Sequence, residues 1–235
     1  MKVVITGFFN TMPKTQKIAG LVYLPFHVLI LPLFLGMAAT WLPGGLDELT
    51  QNIIYYVLGF LFCLIVMWKY LREAFDILLD NPMVSIVVLV FGYFMYLLLS
   101  YLSVGVLLII FGDKLSNPNN DAIQSLANDS PRAALGLAVF IAPVVEEVLF
   151  RGVVFGSLCP KHRTWAFIAS IGLFALYHVW QYALVSMDAM TLIYIIEYIP
   201  AGYALAWTYE KTNSIWISVF LHMLINILSM LLIGL

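Results

Sequence analysis

Charge is what this sequence has least of: 10% of its 235 residues are Asp, Glu, Lys or Arg, against 63% hydrophobic. A water-soluble domain can neither bury nor display so much apolar surface, which leaves an integral membrane protein. There is no basic excess either. Eleven Lys and Arg stand against 13 Asp and Glu, for a formal net charge of −2, and the two signs are dispersed along the chain. That balance excludes nucleic acid as a partner. Cysteine is scarce: Cys63 lies in an apolar run and Cys159 follows one. The pair offers neither a disulfide framework nor a thiolate metal site. Nothing repeats at a fixed period, and no polar stretch is long enough to be a separate soluble domain. The first apolar run is too long and too late for a signal-peptide core and lacks an Ala-x-Ala-like cleavage site, so it is expected to remain as a helix.

What the chain does have is apolar runs long enough to cross a hydrocarbon core about 30 Å thick. Seven are expected, over 18–42, 52–70, 84–112, 133–158, 164–184, 190–209 and 214–234. They are continuous rather than alternating, which predicts helices and not a barrel. The fold class is therefore all-α, a polytopic transmembrane bundle. The third run is long enough to tilt, or to bend near Gly105. The stretch KYLREAFDILLDNP after the second run puts Lys69, Arg72, Glu73, Asp76 and Asp80 on one face, as in a helix lying at the membrane surface.

Lys2, Lys14, Lys17, Lys69, Arg72, Lys161, Arg163 and Lys211 flank one side of these runs, while the other side has only Lys114 and Arg132, in a polar loop. Positive residues collect in the cytoplasm, which predicts the N-terminus inside and the C-terminus outside. Arg151 is left within the fourth run. At about 1.5 Å per helical residue, Glu146 then lies about 18 Å from the cytoplasmic end of its helix, His178 about 21 Å, His222 about 12 Å and Asn226 about 18 Å. Four polar side chains on three helices share one layer.

Ionisable groups at that depth are costly and normally face partners in the bundle interior. Glu147 and Arg151 are four residues apart and can pair on one helical face, whereas Glu146 is offset toward another neighbour. His222 and Asn226 are also four apart and share a stripe. A carboxylate beside an imidazole can hold a water and take its proton. An imidazole and an amide opposite can donate to an oxyanion. These are the parts of a peptide-bond hydrolase. No G-x-S-x-G turn and no H-E-x-x-H helix occurs in the sequence, which removes two other routes. Two readings stay open beside it. Two histidines and a carboxylate could hold Zn²⁺ or Fe²⁺ in a metal-dependent hydrolase. A non-enzymatic immunity or scaffold protein, or a transporter, could use the same groups to bind a partner or relay protons.

Three motifs occur in order: Glu146-Glu147-Val148-Leu149-Phe150-Arg151 fits E-E-x-x-x-R, Phe174 to His178 fits F-x-x-x-H, and His222 to Asn226 fits H-x-x-x-N. Together they resemble the CPBP (CAAX protease and bacteriocin-processing, or Abi) family of intramembrane proteases, over roughly residues 133 to 235. The resemblance implies a glutamate-dependent endopeptidase in which Glu146 and His178 activate water, His222 and Asn226 stabilise the oxyanion, and Glu147, Arg151 and Phe174 support them. Neither cofactor nor metal is expected for that chemistry. Relatives of this kind trim prenylated CAAX proteins or are linked to bacteriocin maturation and immunity. The implied partners are the bilayer and a membrane-associated or lipid-modified peptide substrate, and the implied location is a bacterial plasma membrane. The chain is expected to form one membrane domain, with three spans before residue 133 and a four-helix catalytic core from 133 to 235. The sequence leaves the oligomeric state open.

Glu197 falls inside the sixth run and could bind a substrate amine, tune the site, or pair with a polar group such as a tyrosine. His27, in the first run, reads as structural or interfacial. His162, between Lys161 and Arg163, reads as solvated.

Overall fold

The computed structural model describes residues 7–112 and 117–232, and all regular structure among them is helical. Lys2 and Lys114 of the charge count, and the last residues of the seventh run, lie outside the described residues. Ten helices follow in order: α1 Lys14–Trp41, α2 Glu48–Val66, α3 Trp68–Asp80, α4 Pro82–Phe111, α5 Pro118–Asp129, α6 Pro131–Leu158, α7 Arg163–Tyr177, α8 Trp180–Ser186, α9 Ala189–Thr212 and α10 Ile215–Leu232. Six of them are long and apolar enough to cross a membrane alone, and α7 with α8, bent by 44°, is long and apolar enough for a seventh if the pair crosses as one span. The expected 164–184 span is thus broken at His178 and Val179.

Local chemistry sets these boundaries. Asp47 caps α2 by accepting from the Thr50 amide at 2.8 Å, and its hydrogen bonds from Thr50 hold the carboxyl below the usual carboxylate range. α3 is the separate polar-faced helix that the sequence predicts; it buries Tyr70, Leu71 and Ala74. α4 runs uninterrupted through Gly105. The polar stretch before residue 133, expected as a loop, contains α5. Asn117 caps it, Pro118 starts it, and Ala122, Ile123, Leu126 and Ala127 form its inner face at helical spacing.

α6 departs most from regularity. Leu135–Ile141 and Glu147–Phe155 are π-helical, on either side of an α segment, Ala142–Glu146. Wide turns of this kind loosen the backbone ladder and recur at functional sites. Carbonyls in them accept from other elements: Ala138 from Asn226 at 2.7 Å, Phe150 from Ser170 at 2.9 Å and Gly152 from Asn10 at 3.4 Å. Every residue from Ala142 to Gly156 is buried, so α6 is the axis of the bundle.

Two glycines allow close helix approaches, Gly59 of α2 on α6 and Gly92 of α4 on α9 and α10. A Cβ at Gly59 of α2 would come within 2.8 Å of Val145 and 2.9 Å of His27, and one at Gly92 of α4 within 2.9 Å of Leu221. Small residues permit such approaches in membranes. At one end of the bundle, Gln16 bonds Val66 and Tyr70, Ser214 bonds Ala74, and Arg163 pairs with Glu210. The described flanks that the charge count assigned to one side therefore meet at one end.

Candidate active site

α6 delivers Glu146, Glu147 and Arg151 to the bundle interior, where they are 3%, 0% and 0% exposed. Three buried ionisable groups there require partners. For Glu147 and Arg151 the partners are complete on nearly every side. Glu147 Oε1 accepts from Arg151 Nη1 at 3.0 Å and meets His222 Nδ1 at 2.9 Å, while Oε2 accepts from Ser218 Oγ at 2.6 Å. Arg151 Nη2 donates to the Gly202 carbonyl at 3.2 Å, and its guanidinium lies 4.1 Å over the Phe174 ring.

Glu146 is held differently. Its Oε2 lies 3.7 Å from His178 Nε2 and 3.8 Å from His222 Nε2, and it makes no direct hydrogen bond among the described residues. His178 ends α7, and its Nδ1 lies 2.8 Å from the Phe174 carbonyl. A carbonyl only accepts, so Nδ1 carries the hydrogen and the Nε2 of the neutral ring turns its lone pair toward Glu146. Phe174 thus touches both arms of the site: its carbonyl orients His178, and its ring covers Arg151. By the same logic, the contact with Glu147 places a hydrogen on His222 Nδ1. His222 touches both acids, so they are not as separate as their spacing suggested.

Glu146, Phe174, His178 and His222 line a cavity of about 570 Å³ together with Asn226, Tyr177 and Glu197. Asn226 shares the wall, with Nδ2 donating to Ala138. Glu197 Oε2 accepts from Asn117 Nδ2 at 2.8 Å. That amide also meets the Tyr198 hydroxyl at 3.1 Å, and the Tyr198 ring stacks on His178 at 4.4 Å. Sequence reasoning missed Asn117, Tyr198 and Ser218. Ser218 alone carried a usable signal, four residues before His222 on the same helical stripe. The cavity wall also includes Tyr55, Tyr56 and Tyr96 from before residue 133, and polar residues at the starts of α2 and α5. His27 is buried behind it, stacked on Tyr55 at 4.3 Å. Both cysteines are free and buried. Among the described residues, no group of three or more His, Cys, Asp or Glu side chains is arranged to hold a metal ion.

Residues 128–228 match the family model described as type II CAAX prenyl endopeptidase Rce1-like. Among curated proteins, the chain is 25% identical over 179 residues to YdiL of Bacillus subtilis (strain 168), whose name describes it as a candidate membrane peptidase; the match covers 74% of this chain and 68% of YdiL. It is 32% identical over 90 residues to the UPF0177 protein YxdF of Lactococcus lactis subsp. lactis (strain IL1403), covering 37% of this chain and 42% of that one. No solved structure matches.

Proposed function

Because the chain belongs to the CPBP family of CAAX-type proteases and is a multi-pass membrane protein, we propose that it is an intramembrane glutamate endopeptidase cleaving a peptide bond in a membrane-associated or lipid-modified substrate of a bacterial plasma membrane. One observation carries this reading: a carboxylate oxygen without a direct hydrogen bond and two imidazole nitrogens converge in the wall of one cavity. The catalytic groups come from the region after residue 133, and the first 132 residues supply walls and substrate access.

A water between Glu146 Oε2 and His178 Nε2 would donate a hydrogen to each acceptor. As its oxygen attacks the scissile carbonyl carbon, its proton passes to Glu146. The negative charge moves to the carbonyl oxygen, which the Asn226 amide and the His222 ring are placed to stabilise. Glu147 orients the His222 ring through its contact with Nδ1, and Arg151 and Ser218 hold Glu147 in place. Collapse of the tetrahedral intermediate breaks the C–N bond as Glu146 returns the proton to the leaving nitrogen.

The test is mass spectrometry of membrane-associated peptides from cells carrying the parent or the Glu146→Gln variant. A peptide pair whose cleavage falls roughly 10²–10⁴-fold in the variant is the expected outcome. Identical peptide profiles would refute the reading. Hydrolysis by the purified parent should survive a chelator, and loss that added metal restores would favour the metal-dependent alternative.

A further inference from the structure

The cavity has a charge bias. Three carboxylates line it, those of Glu48, Glu146 and Glu197, and among the described residues no lysine or arginine does. Arg151 is spent on Glu147 and Gly202. Glu197 has a neutral partner in Asn117, and among the described residues neither Glu197 nor Glu48 joins a salt bridge. Glu146 Oε2, in a side chain only 3% exposed, is turned toward the two cavity-lining imidazoles without a direct bond. Glu197 is linked to the reacting groups through Asn117, which bonds both Glu197 and Tyr198, and the Tyr198 ring stacks on His178. In a cleft with low-dielectric walls, charge of one sign concentrates the opposite sign and penalises its own.

We propose that the cavity accepts a peptide segment bearing a positive charge, on a lysine or arginine side chain or a free amino terminus, with Glu197 as the carboxylate that receives it. A free carboxyl terminus at that place is disfavoured. This selectivity rests on the peptide site proposed above and names the chemistry of what enters it. The structure offers such a cation a half-buried carboxylate whose Oε2 is already oriented by Asn117.

Full-length Glu146→Gln protein in zwitterionic nanodiscs allows binding to be read apart from turnover. The probes are BODIPY-labelled decapeptides of one apolar sequence, amidated at the C-terminus. Three are acetylated and carry a central Lys, Gln or Glu; a fourth carries Gln and a free amino terminus. Fluorescence anisotropy, corrected against empty nanodiscs, is expected to show a cationic peptide binding at least about tenfold more tightly than the Glu peptide, with acetylated Gln between them. Adding Glu197→Gln should shrink that ratio to about twofold, and Glu197→Lys should invert it. The Lys and free-amine arms tell a side chain from a terminus. Neither cationic peptide binding more tightly than the Glu peptide, no binding by any peptide, or a ratio indifferent to Glu197 would each overturn the proposal. The expected binding pattern beside Glu146-independent peptide profiles would sink the hydrolase and leave the cation preference standing. Charge-blind binding beside Glu146-dependent cleavage would do the reverse.

Discussion

α6 and α4 are both long and apolar, yet 67% of the most apolar eighteen-residue window of α6 is buried inside the protein and only 6% of that of α4. α4 has no charged residue between Pro82 and Phe111 and turns Phe91, Phe94, Tyr101 and Ile109 outward. Beyond the exposed Arg132 in its first turn, α6 carries two acids and a second arginine, and its neighbours cover these three. The more apolar helix is therefore the peripheral one. In a bilayer, lipid satisfies a leucine as well as a protein core does, so apolar packing gives little reason to be central. Charge gives that reason, because it must be met by other helices.

That contrast can be broken at three points. Arg151→Met should destabilise the protein by about 3–5 kcal/mol, since it strands the Glu147 carboxylate among buried groups. Unfolding in mixed detergent would measure this, and the Glu147→Gln/Arg151→Met pair should recover part of the loss. A single variant as stable as the parent would remove charge as the reason for α6's position. Gly92→Leu comes next, at about 1–3 kcal/mol, because it overpacks a place where α4 approaches Thr208 and Leu221. The same measurement applies, with no loss counting against close α4 packing. Ile109→Leu, at a residue 87% exposed, should stay within about 0.5 kcal/mol. A larger change there would mean that α4 has a protein neighbour on its outer face.

Much of the site could be read from spacing. Glu147 and Arg151 pair because four residues bring side chains together even though the local helix is π rather than α. Glu146, His178 and His222 meet after a count of lysines and arginines had placed their helices in a common layer. α5 was hidden because eight of its twelve residues are Pro, Asn, Asp, Gln or Ser, so polarity outweighed an apolar stripe of four. The break in the fifth run was hidden too, since nothing in ALYHVWQYA forbids a continuous helix. Asn226 illustrates the remaining gap. Its partner is the Ala138 carbonyl, in a wide turn 88 residues away in the chain, and no periodicity announces such a meeting.

The way α7 stops has a bearing on how ready this cavity is. Where one more backbone amide would ordinarily have satisfied the Phe174 carbonyl, the His178 ring does so. Helix termination and imidazole orientation are thus one hydrogen bond. The ring is set before any guest arrives, and its working nitrogen needs no reorientation at the moment of reaction.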